Sequence, residues 1–247
     1  MILYSGPLSM FGAKAQIAVL EKGVACEQRL VAFTLRDRYK PYAPEIVRIN
    51  PKLQVPVLID GDLEIFDSTQ ILEYLEDICP EPALWPKDPK ARAAARLLEL
   101  KSDEIFFPHV ITLIGLLGDA SSEEGQAALA GLSDYYDDME EQIGTSDYLA
   151  RTFTYADIAF YMAQFFAAFL GGGMAPRHQK LLAWRQRMMA RPAVAAVVAP
   201  ICHFIADNGL AVPEVEQALM ESSAARGTSK EAKMVGDTGI EPVTSPV

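Results

Sequence analysis

Polar side chains that can hold a ligand stand directly before two predicted helices. Ser9 follows a short apolar strand and a Gly6-Pro7 break, and an amphipathic helix begins just after it. Asp67 and Ser68 occupy the corresponding place before a second amphipathic helix, whose apolar residues share one face. Hydroxyl and carboxylate groups at helix starts are most often N-caps, which satisfy free backbone N–H groups. The same oxygen atoms can also bind the amino and carboxylate groups of a small peptide.

The residues between these two positions predict a proline-marked β-hairpin. Residues 57–59 and 63–66 form two short apolar runs, and Gly61 between two aspartates is typical of a hairpin turn. Pro56 has no N–H group for a sheet ladder, so it belongs at a strand start or edge, where the bond before it can be cis. We expect the backbone of Val55 to face outward there and to pair with an extended peptide.

The elements that position these residues follow a β-α-β-α-β-β-α order to about residue 80, which is the order of a thioredoxin-like domain. Pro80 and the three prolines that follow it then mark a linker at 81–90, and the sequence changes to long helical periodicity. We therefore predict an α+β fold, with a thioredoxin-like domain at 1–80 and an all-α C-terminal domain at 91–221. The predicted strands are 1–4, 27–32 and the two of the hairpin. The first predicted helix ends at Gly23. Further helices are predicted over 68–79, about 89–115 and 123–144. Two more begin at Thr154 and Pro192, and a short last helix follows Pro213.

The most distinct helix start in the chain is at Thr154. Thr154 is expected to cap the helix, and Asp157, three residues later, to reach back to the backbone N–H of the cap. Phe153 and Ile158 are placed to form a hydrophobic staple across this start. These residues predict a structural role rather than a catalytic one.

Composition excludes several classes of function. The 247 residues are 50% hydrophobic and carry a formal net charge of −11, which argues against binding nucleic acid through a basic face. No apolar run reaches the roughly 20 residues needed to span a bilayer, and no cleavable leader is evident, so we expect a cytoplasmic protein without membrane contact. Residues 222–247 are small, polar and without periodicity, and we expect them to be disordered.

Cysteine and histidine residues give no sign of a metal site. Cys26, Cys79 and Cys202 are widely spaced and lack the spacing of metal ligands or of a disulfide framework. We expect three buried thiols and no bound metal. The three histidines have no motif around them that would supply a catalytic base.

Several of these motifs together resemble the cytosolic glutathione transferases, in particular their serine-type zeta, theta and delta classes. The matching segments are ILYSGPLS at 2–9, QVPVLIDG at 54–61 with the Asp67-Ser68 pair, FTYADIAF at 153–160 and MMARPAV at 188–194. The resemblance covers about residues 1 to 215. It implies that glutathione is the co-substrate, that a small hydrophobic electrophile is the second substrate, and that the chain forms a homodimer.

The resemblance also implies roles for individual residues. Ser68 and Asp67 would hold the γ-glutamyl end of glutathione, although many family members have Glu or Gln where this chain has Asp67. Val55 and Pro56 would pair with the middle of the tripeptide. Lys52 and Gln54 would lie at its glycine end. The helix that follows Pro89 carries an aromatic and aliphatic stripe, and such a stripe is usually core. The resemblance implies that two of its residues line the electrophile pocket, and the sequence does not single them out among Phe106, Phe107, Val110 and Ile114.

A serine before a helix is more often an N-cap, but the resemblance to the serine-type classes implies that Ser9 is the catalytic residue. A free thiol has a pKa of about 8.5, and only the thiolate is a strong nucleophile. A neutral hydroxyl that donates to the sulfur stabilises the thiolate without ionising itself, and the helix N-terminus beside Ser9 adds a favourable field. Tyr4 and Ser5 are alternative hydroxyl donors.

Two functions are compatible with this reading. The first is a glutathione transferase that conjugates an electrophile, or uses the thiolate for isomerisation, dehalogenation or ether cleavage. The second is a non-catalytic adaptor of the same fold, similar to stringent starvation protein A. An adaptor has no need of a peptide-binding set, so the presence of Ser9, Gln54, Val55-Pro56 and Ser68 together favours the enzyme.

Overall fold

The structure, a computed structural model, describes residues 1–221. The segment at 222–247, for which the sequence predicts disorder, lies outside the described residues.

A mixed β-sheet forms the N-terminal part of the chain. The elements of this part are β1 (Ile2–Ser5), α1 (Met10–Glu21), β2 (Glu27–Leu30), α2 (Pro44–Ile49), β3 (Val57–Asp60), β4 (Leu63–Phe66) and α3 (Ser68–Ile78). The four strands lie in the order β2-β1-β3-β4, with β1 parallel to β2 and antiparallel to β3, and with β3 antiparallel to β4. The β3–β4 hairpin is the one that the sequence predicts.

The rest of the described chain is helical, which confirms the predicted fold class. The single helix predicted over about 89–115 is instead two α-helices joined by a π-helical turn at Ser102–Phe106, in which the Phe107 N–H bonds to the Ser102 carbonyl. Pro108, in the first turn of the second helix, has no N–H group to continue a regular ladder. The α-helices are α4 (Pro89–Lys101), α5 (Phe107–Gly115), α6 (Glu123–Ile143), α7 (Tyr155–Phe169), α8 (Gln179–Met189) and α9 (Pro192–Asp207).

The predicted start of α7 is confirmed, and it is tied to the core. One Asp157 carboxylate oxygen accepts a hydrogen bond from the Thr154 N–H at 2.9 Å. The other accepts from the Leu149 N–H and from Nε1 of Trp184, each at 2.9 Å. Burial raises the pKa of Asp157, and these bonds oppose that effect. The carboxylate therefore joins α7 to the preceding loop and to α8.

Cysteine burial differs from the expectation. Cys202 is buried, but Cys26 and Cys79 are half-buried, so the prediction of three buried thiols was wrong for these two. Both lie at the ends of elements, where packing is incomplete. In the described part of the chain, no single helix is long and apolar enough to cross a membrane, and only α8 and α9, bent by 92°, reach that length together.

A buried cluster of charges joins the two parts of the molecule. The Lys14 side chain on α1 is fully buried, and its Nζ lies 2.9 Å from Glu99 Oε1 on α4 and 2.5 Å from Asp103 Oδ2 in the π-helical turn. The Thr69 hydroxyl at the start of α3 donates to the same Glu99 oxygen at 2.6 Å. Burial alone would lower the pKa of Lys14, but the facing carboxylates and Tyr155 raise it above its usual range, so Lys14 carries a charge.

Replacing Lys14 by methionine tests how much this cluster contributes to stability. Lys14→Met leaves two carboxylates buried without a cation, and we expect the free energy of unfolding to fall by about 3 to 5 kcal/mol at neutral pH. Burial raises the pKa of Asp103 to about 6, above the usual value of an aspartate in the unfolded chain. Lowering the pH therefore protonates Asp103 in the folded protein and removes one of the two unpaired buried charges. The loss should therefore shrink between pH 7 and pH 5.

Urea unfolding at both pH values measures the effect. The exposed Lys90→Met on α4 is the matched control and should change stability by less than about 0.5 kcal/mol. Equal losses in the two variants, or a Lys14→Met loss that grows as pH falls, would contradict the account.

Candidate active site

Three chain segments meet at one edge of the sheet. Tyr4 pairs with Val57, and Val57 pairs with Phe66, so the end of β1, the start of β3 and the end of β4 lie side by side. The segments that continue from these ends are 6–9, 55–56 and 67–68. Because α1 and α3 both begin at this edge, their N-termini supply a positive field there. The fold thus brings together residues that lie some 60 positions apart in the chain.

Ser9 is the N-cap of α1. Its Oγ accepts a hydrogen bond from the Gly12 N–H at 3.0 Å, and the residue is only 8% exposed. A hydroxyl that accepts one hydrogen bond still has its own proton to donate. The capping role and the predicted donor role are therefore compatible.

The two alternative hydroxyls are held differently. Ser5 is fully buried, and its hydroxyl donates to Oε1 of Gln16 at 2.9 Å, so its proton is already used. The Tyr4 hydroxyl accepts from Nη1 of Arg29 at 3.1 Å. Arg29 lies on β2, on the side of β1 away from β3. Among these three hydroxyls, the arrangement favours Ser9 as the donor to a ligand beside β3.

The segment before β3 leaves backbone groups free. The Val55-Pro56 bond is cis, as the sequence analysis allowed. Within the described residues, none of the backbone hydrogen bonds outside helices and strands involves Val55. Lys52 and Gln54 are exposed just before it, so their side chains can reach a ligand laid along this segment.

Asp67 combines a cap with a strained backbone. Its φ of 80° lies in the left-handed region, which is uncommon for a residue other than glycine and is often found at functional sites. Its Oδ1 accepts hydrogen bonds from the Thr69 N–H at 3.0 Å and the Gln70 N–H at 3.2 Å. No hydrogen bond among the described residues uses Oδ2, which leaves that oxygen available for an ammonium group.

Ser68 carries a buried hydroxyl without a partner. The residue is 1% exposed, and no described group forms a hydrogen bond with its Oγ. Its carbonyl accepts from the Tyr155 hydroxyl of α7 at 3.1 Å, which fixes the backbone of Ser68. A buried polar group left unpaired costs about 1 to 3 kcal/mol, so the hydroxyl is poised for a ligand that approaches from the sheet edge.

The four residues predicted for the electrophile pocket separate into two groups. Phe106 and Val110 are fully buried, and Phe106 packs with its ring centroid 5.2 Å from that of Phe160. They are core residues, because the π-helical turn directs Phe106 into the helical part. Phe107 is also buried, at 6% exposure, but it lies on the α1 side, where its ring centroid is 5.4 Å from that of Phe11, and Ile114 is half-buried. Only Phe107 and Ile114 therefore remain candidates for the pocket.

Sequence reasoning did not identify the residues whose hydrogen bonds hold the start of α3 in place. The hydrogen bond from Thr69 to Glu99 spans 30 residues, and that from Tyr155 to Ser68 spans 87. No local sequence pattern therefore predicts either one. Lys14 offered a weak signal, because a lysine stands within the apolar run of α1.

Substitution of Ser68 tests whether its hydroxyl has a structural role. In the absence of any ligand, Ser68→Ala should not lower the free energy of unfolding and should raise it by up to about 1 to 3 kcal/mol, because it removes a buried hydroxyl that has no protein partner. The control is Ser122→Ala, which removes the N-cap hydrogen bond that the Gly125 N–H donates to Ser122 Oγ at 3.1 Å and should cost about 1 kcal/mol. Denaturant unfolding compares the two variants. A loss for Ser68→Ala as large as the control would mean that the hydroxyl is paired within the protein.

Comparison with known proteins relates this site to one family. Two family models match the chain: the glutathione S-transferase N-terminal domain over residues 3–83, and the glutathione S-transferase C-terminal domain over residues 97–192. Among solved structures, a glutathione S-transferase from Rhodospirillum rubrum F11 is 26% identical, with a TM-score of 0.67, and the match covers 79% of this chain and 90% of that one.

The curated relatives include both stringent starvation protein A homologues and glutathione S-transferases. A stringent starvation protein A homologue of Coxiella burnetii is 36% identical over 107 residues, which are 43% of this chain and 48% of that protein. The chain thus matches about half the length of that relative. The probable glutathione S-transferase parC of Nicotiana tabacum is 29% identical over 198 residues, which are 76% of this chain and 84% of that protein. Because models of both domains match and the fold agrees, the chain belongs to the glutathione S-transferase family.

Proposed function

We propose that this protein is a glutathione transferase, which binds glutathione and stabilises its thiolate for attack on a small hydrophobic electrophile. The proposal rests on three groups at the same edge of the sheet whose hydrogen-bonding capacity is not fully used within the described residues. These are the Ser9 hydroxyl proton, the Val55 backbone and the buried Ser68 hydroxyl. Together they offer contacts along the length of a short peptide.

The donors and acceptors at this edge suit the charges of glutathione. The γ-glutamyl end carries a carboxylate, which the Ser68 hydroxyl can bind, and an ammonium group, which Asp67 Oδ2 can bind. The free backbone groups of Val55 can pair with the cysteinyl residue in the manner of an added strand. Lys52 and Gln54 are exposed donors for the glycine carboxylate. The set therefore fits the tripeptide in one direction.

The chemistry then follows from placing the sulfur near Ser9. A hydrogen bond from the Ser9 hydroxyl and the field of the α1 N-terminus both favour the thiolate, so the thiol releases its proton to solvent near neutral pH. The sulfur lone pair forms a new carbon–sulfur bond with the electrophile, and a leaving group departs or the addition product takes up a proton. Isomerisation, dehalogenation and ether cleavage begin from the same thiolate.

The family likeness also supports proposals on assembly and location. We propose a cytoplasmic homodimer that acts in detoxification of small electrophiles. Phe107 and Ile114 are our candidates for contact with the second substrate. The Phe107 ring packs against Phe11 of α1, and the Ile114 side chain is half-buried.

A second candidate function is supported by the similarity to stringent starvation protein A homologues. In that case the chain would be a non-catalytic adaptor with the same fold. An adaptor does not require a bound thiolate, so glutathione binding discriminates between the two proposals.

Isothermal calorimetry with glutathione is the primary test. We expect a dissociation constant between about 1 μM and 1 mM, which corresponds to about 8 to 4 kcal/mol of binding free energy. Cysteinylglycine, which lacks the γ-glutamyl group, should bind at least tenfold more weakly, and Ser68→Ala should show a similar loss for glutathione. Absence of heat and of any thermal shift at millimolar glutathione would reject the transferase and favour the adaptor.

A separate test addresses chemistry at Ser9. In Ser9→Ala we expect most of the glutathione affinity to remain, because Asp67, Ser68 and Val55 still hold the peptide. Loss of a hydrogen bond to a charged sulfur, about 1.5 to 3 kcal/mol, should raise the bound thiol's pKa by about one to two units. The value of kcat/KM with an aryl halide should then fall about tenfold to a hundredfold near neutral pH and recover in part at higher pH.

The control for Ser9→Ala is again Ser122→Ala, which loses a comparable helix cap far from the site. It should lose similar stability but keep its kcat/KM. An unchanged pH profile in Ser9→Ala would show that Ser9 is only a cap, and Tyr4 or Ser5 would be the next residue to replace.

A further inference from the structure

The phenol of Tyr39 lies directly over the turn that precedes Ser9. A Cβ atom built onto Gly6 would lie 2.4 Å from Tyr39 Cε1 and 2.6 Å from its Oη. The edge of the phenol therefore fills the space that any side chain at position 6 would need. Gly6 is required here for close approach of a side chain to the backbone.

The Tyr39 hydroxyl is buried without a hydrogen-bond partner among the described residues. Burial raises the pKa of Tyr39, while the neighbouring Leu8 backbone and the Arg38 charge oppose this only in part, so the phenol stays neutral and keeps its proton. The Leu8 backbone lies close to the phenol oxygen and lowers its pKa, but no group among the described residues accepts the phenol's proton. A buried donor left in this state is costly unless a ligand or a water accepts from it.

The position of Tyr39 relates it to both halves of the proposed glutathione site. Tyr4, two residues before Gly6, pairs with Val57, two residues after Val55, so the turn after β1 and the segment before β3 leave the sheet at the same end. Tyr39 packs against the apolar cluster that contains Val55 and Tyr4. Its hydroxyl thus lies where the turn that carries Ser9 meets the segment proposed to bind the cysteinyl residue.

Aromatic contacts hold the phenol in place independently of its hydroxyl. The ring centroids of Tyr39 and Phe33 are 4.7 Å apart, and Phe33 in turn lies 5.8 Å from Phe204 on α9. The ring is thus positioned by packing that reaches the helical part of the molecule. The hydroxyl makes no contribution to this packing that a phenylalanine would lack.

We propose that the Tyr39 hydroxyl is a second hydrogen-bond donor to the sulfur of bound glutathione, in addition to Ser9. This inference rests on the proposed transferase function and names a further residue of the same site. The thiol proton leaves to solvent, and the phenol donates a hydrogen bond while it remains protonated throughout. No bond to Tyr39 is made or broken.

Tyr39→Phe tests this role, because it removes the hydroxyl and keeps the ring over Gly6. Calorimetry should give a glutathione dissociation constant within about threefold of the wild-type value. The ultraviolet absorbance of the bound thiolate, titrated against pH, should show a thiol pKa about one to two units higher. With an aryl halide, kcat/KM should fall about tenfold or more near neutral pH and recover as pH rises.

Two further variants make the result specific. Tyr42→Phe removes another tyrosine hydroxyl from the same connection and should match the wild type in every measurement. Gly6→Ala places a Cβ where the phenol lies and should displace it, so the bound thiol's pKa should rise as in Tyr39→Phe. The melting temperature of Tyr39→Phe should equal or exceed the wild-type value, since the lost hydroxyl has no protein partner.

Each alternative outcome has a definite meaning. If wild-type protein binds glutathione and Tyr39→Phe leaves the thiol pKa unchanged, the Tyr39 role is wrong and the transferase proposal stands. If Tyr39→Phe binds glutathione several times more tightly with the same thiol pKa, the phenol obstructs the site instead of serving it, and the role is equally wrong. If the wild type does not bind glutathione, the proposed function fails and the role of Tyr39 fails with it.

Discussion

The ion cluster of Lys14, Glu99 and Asp103 places a positive charge where water does not reach, and its geometry constrains everything around it. A buried lysine is tolerated only when carboxylates face it closely, and here they come from α4 and the π-helical turn at distances of 2.9 and 2.5 Å, respectively. Lys14 lies on α1, five residues after Ser9. Glu99 also accepts a hydrogen bond from the hydroxyl of Thr69, the residue that follows Ser68. The cluster thus sets the position of both helix starts that face the candidate site.

The π-helical turn is what allows the long helical segment to serve two purposes. Before the turn, α4 presents Glu99 to α1 and α3, and within the turn Asp103 reaches Lys14. After the turn, α5 directs Phe107 toward Phe11 of α1. A regular α-helix over the same residues would shift these side chains around the axis, because a π-turn inserts one residue into the helical repeat. The irregularity therefore lies between the charged contact and the apolar contact that the same helix makes with α1.

The features that the sequence predicts correctly depend on neighbouring residues. The hairpin around Gly61, the cap at Ser9 and the Asp157 reach-back at α7 are all encoded within a few positions, and the structure contains each. The features that it does not predict depend on distant ones. Lys14 meets its carboxylates across 85 and 89 residues, and Tyr39 meets Gly6 across 33. The sequence also left open which residues of the stripe after Pro89 are core, since a helical stripe does not reveal which side a π-turn will bury.

The close approach of Tyr39 to Gly6 couples two positions that have no bond in common. At position 6 the constraint is steric and originates in a neighbour, because the φ of Gly6 is not in the left-handed region. A smaller residue at position 39 would remove that constraint, so alanine or serine would then fit at position 6. Substitutions at these two sites should accordingly be non-additive, with the second change costing less after the first. Among homologous sequences the pair should vary together, and glycine should persist at position 6 wherever an aromatic ring occupies position 39.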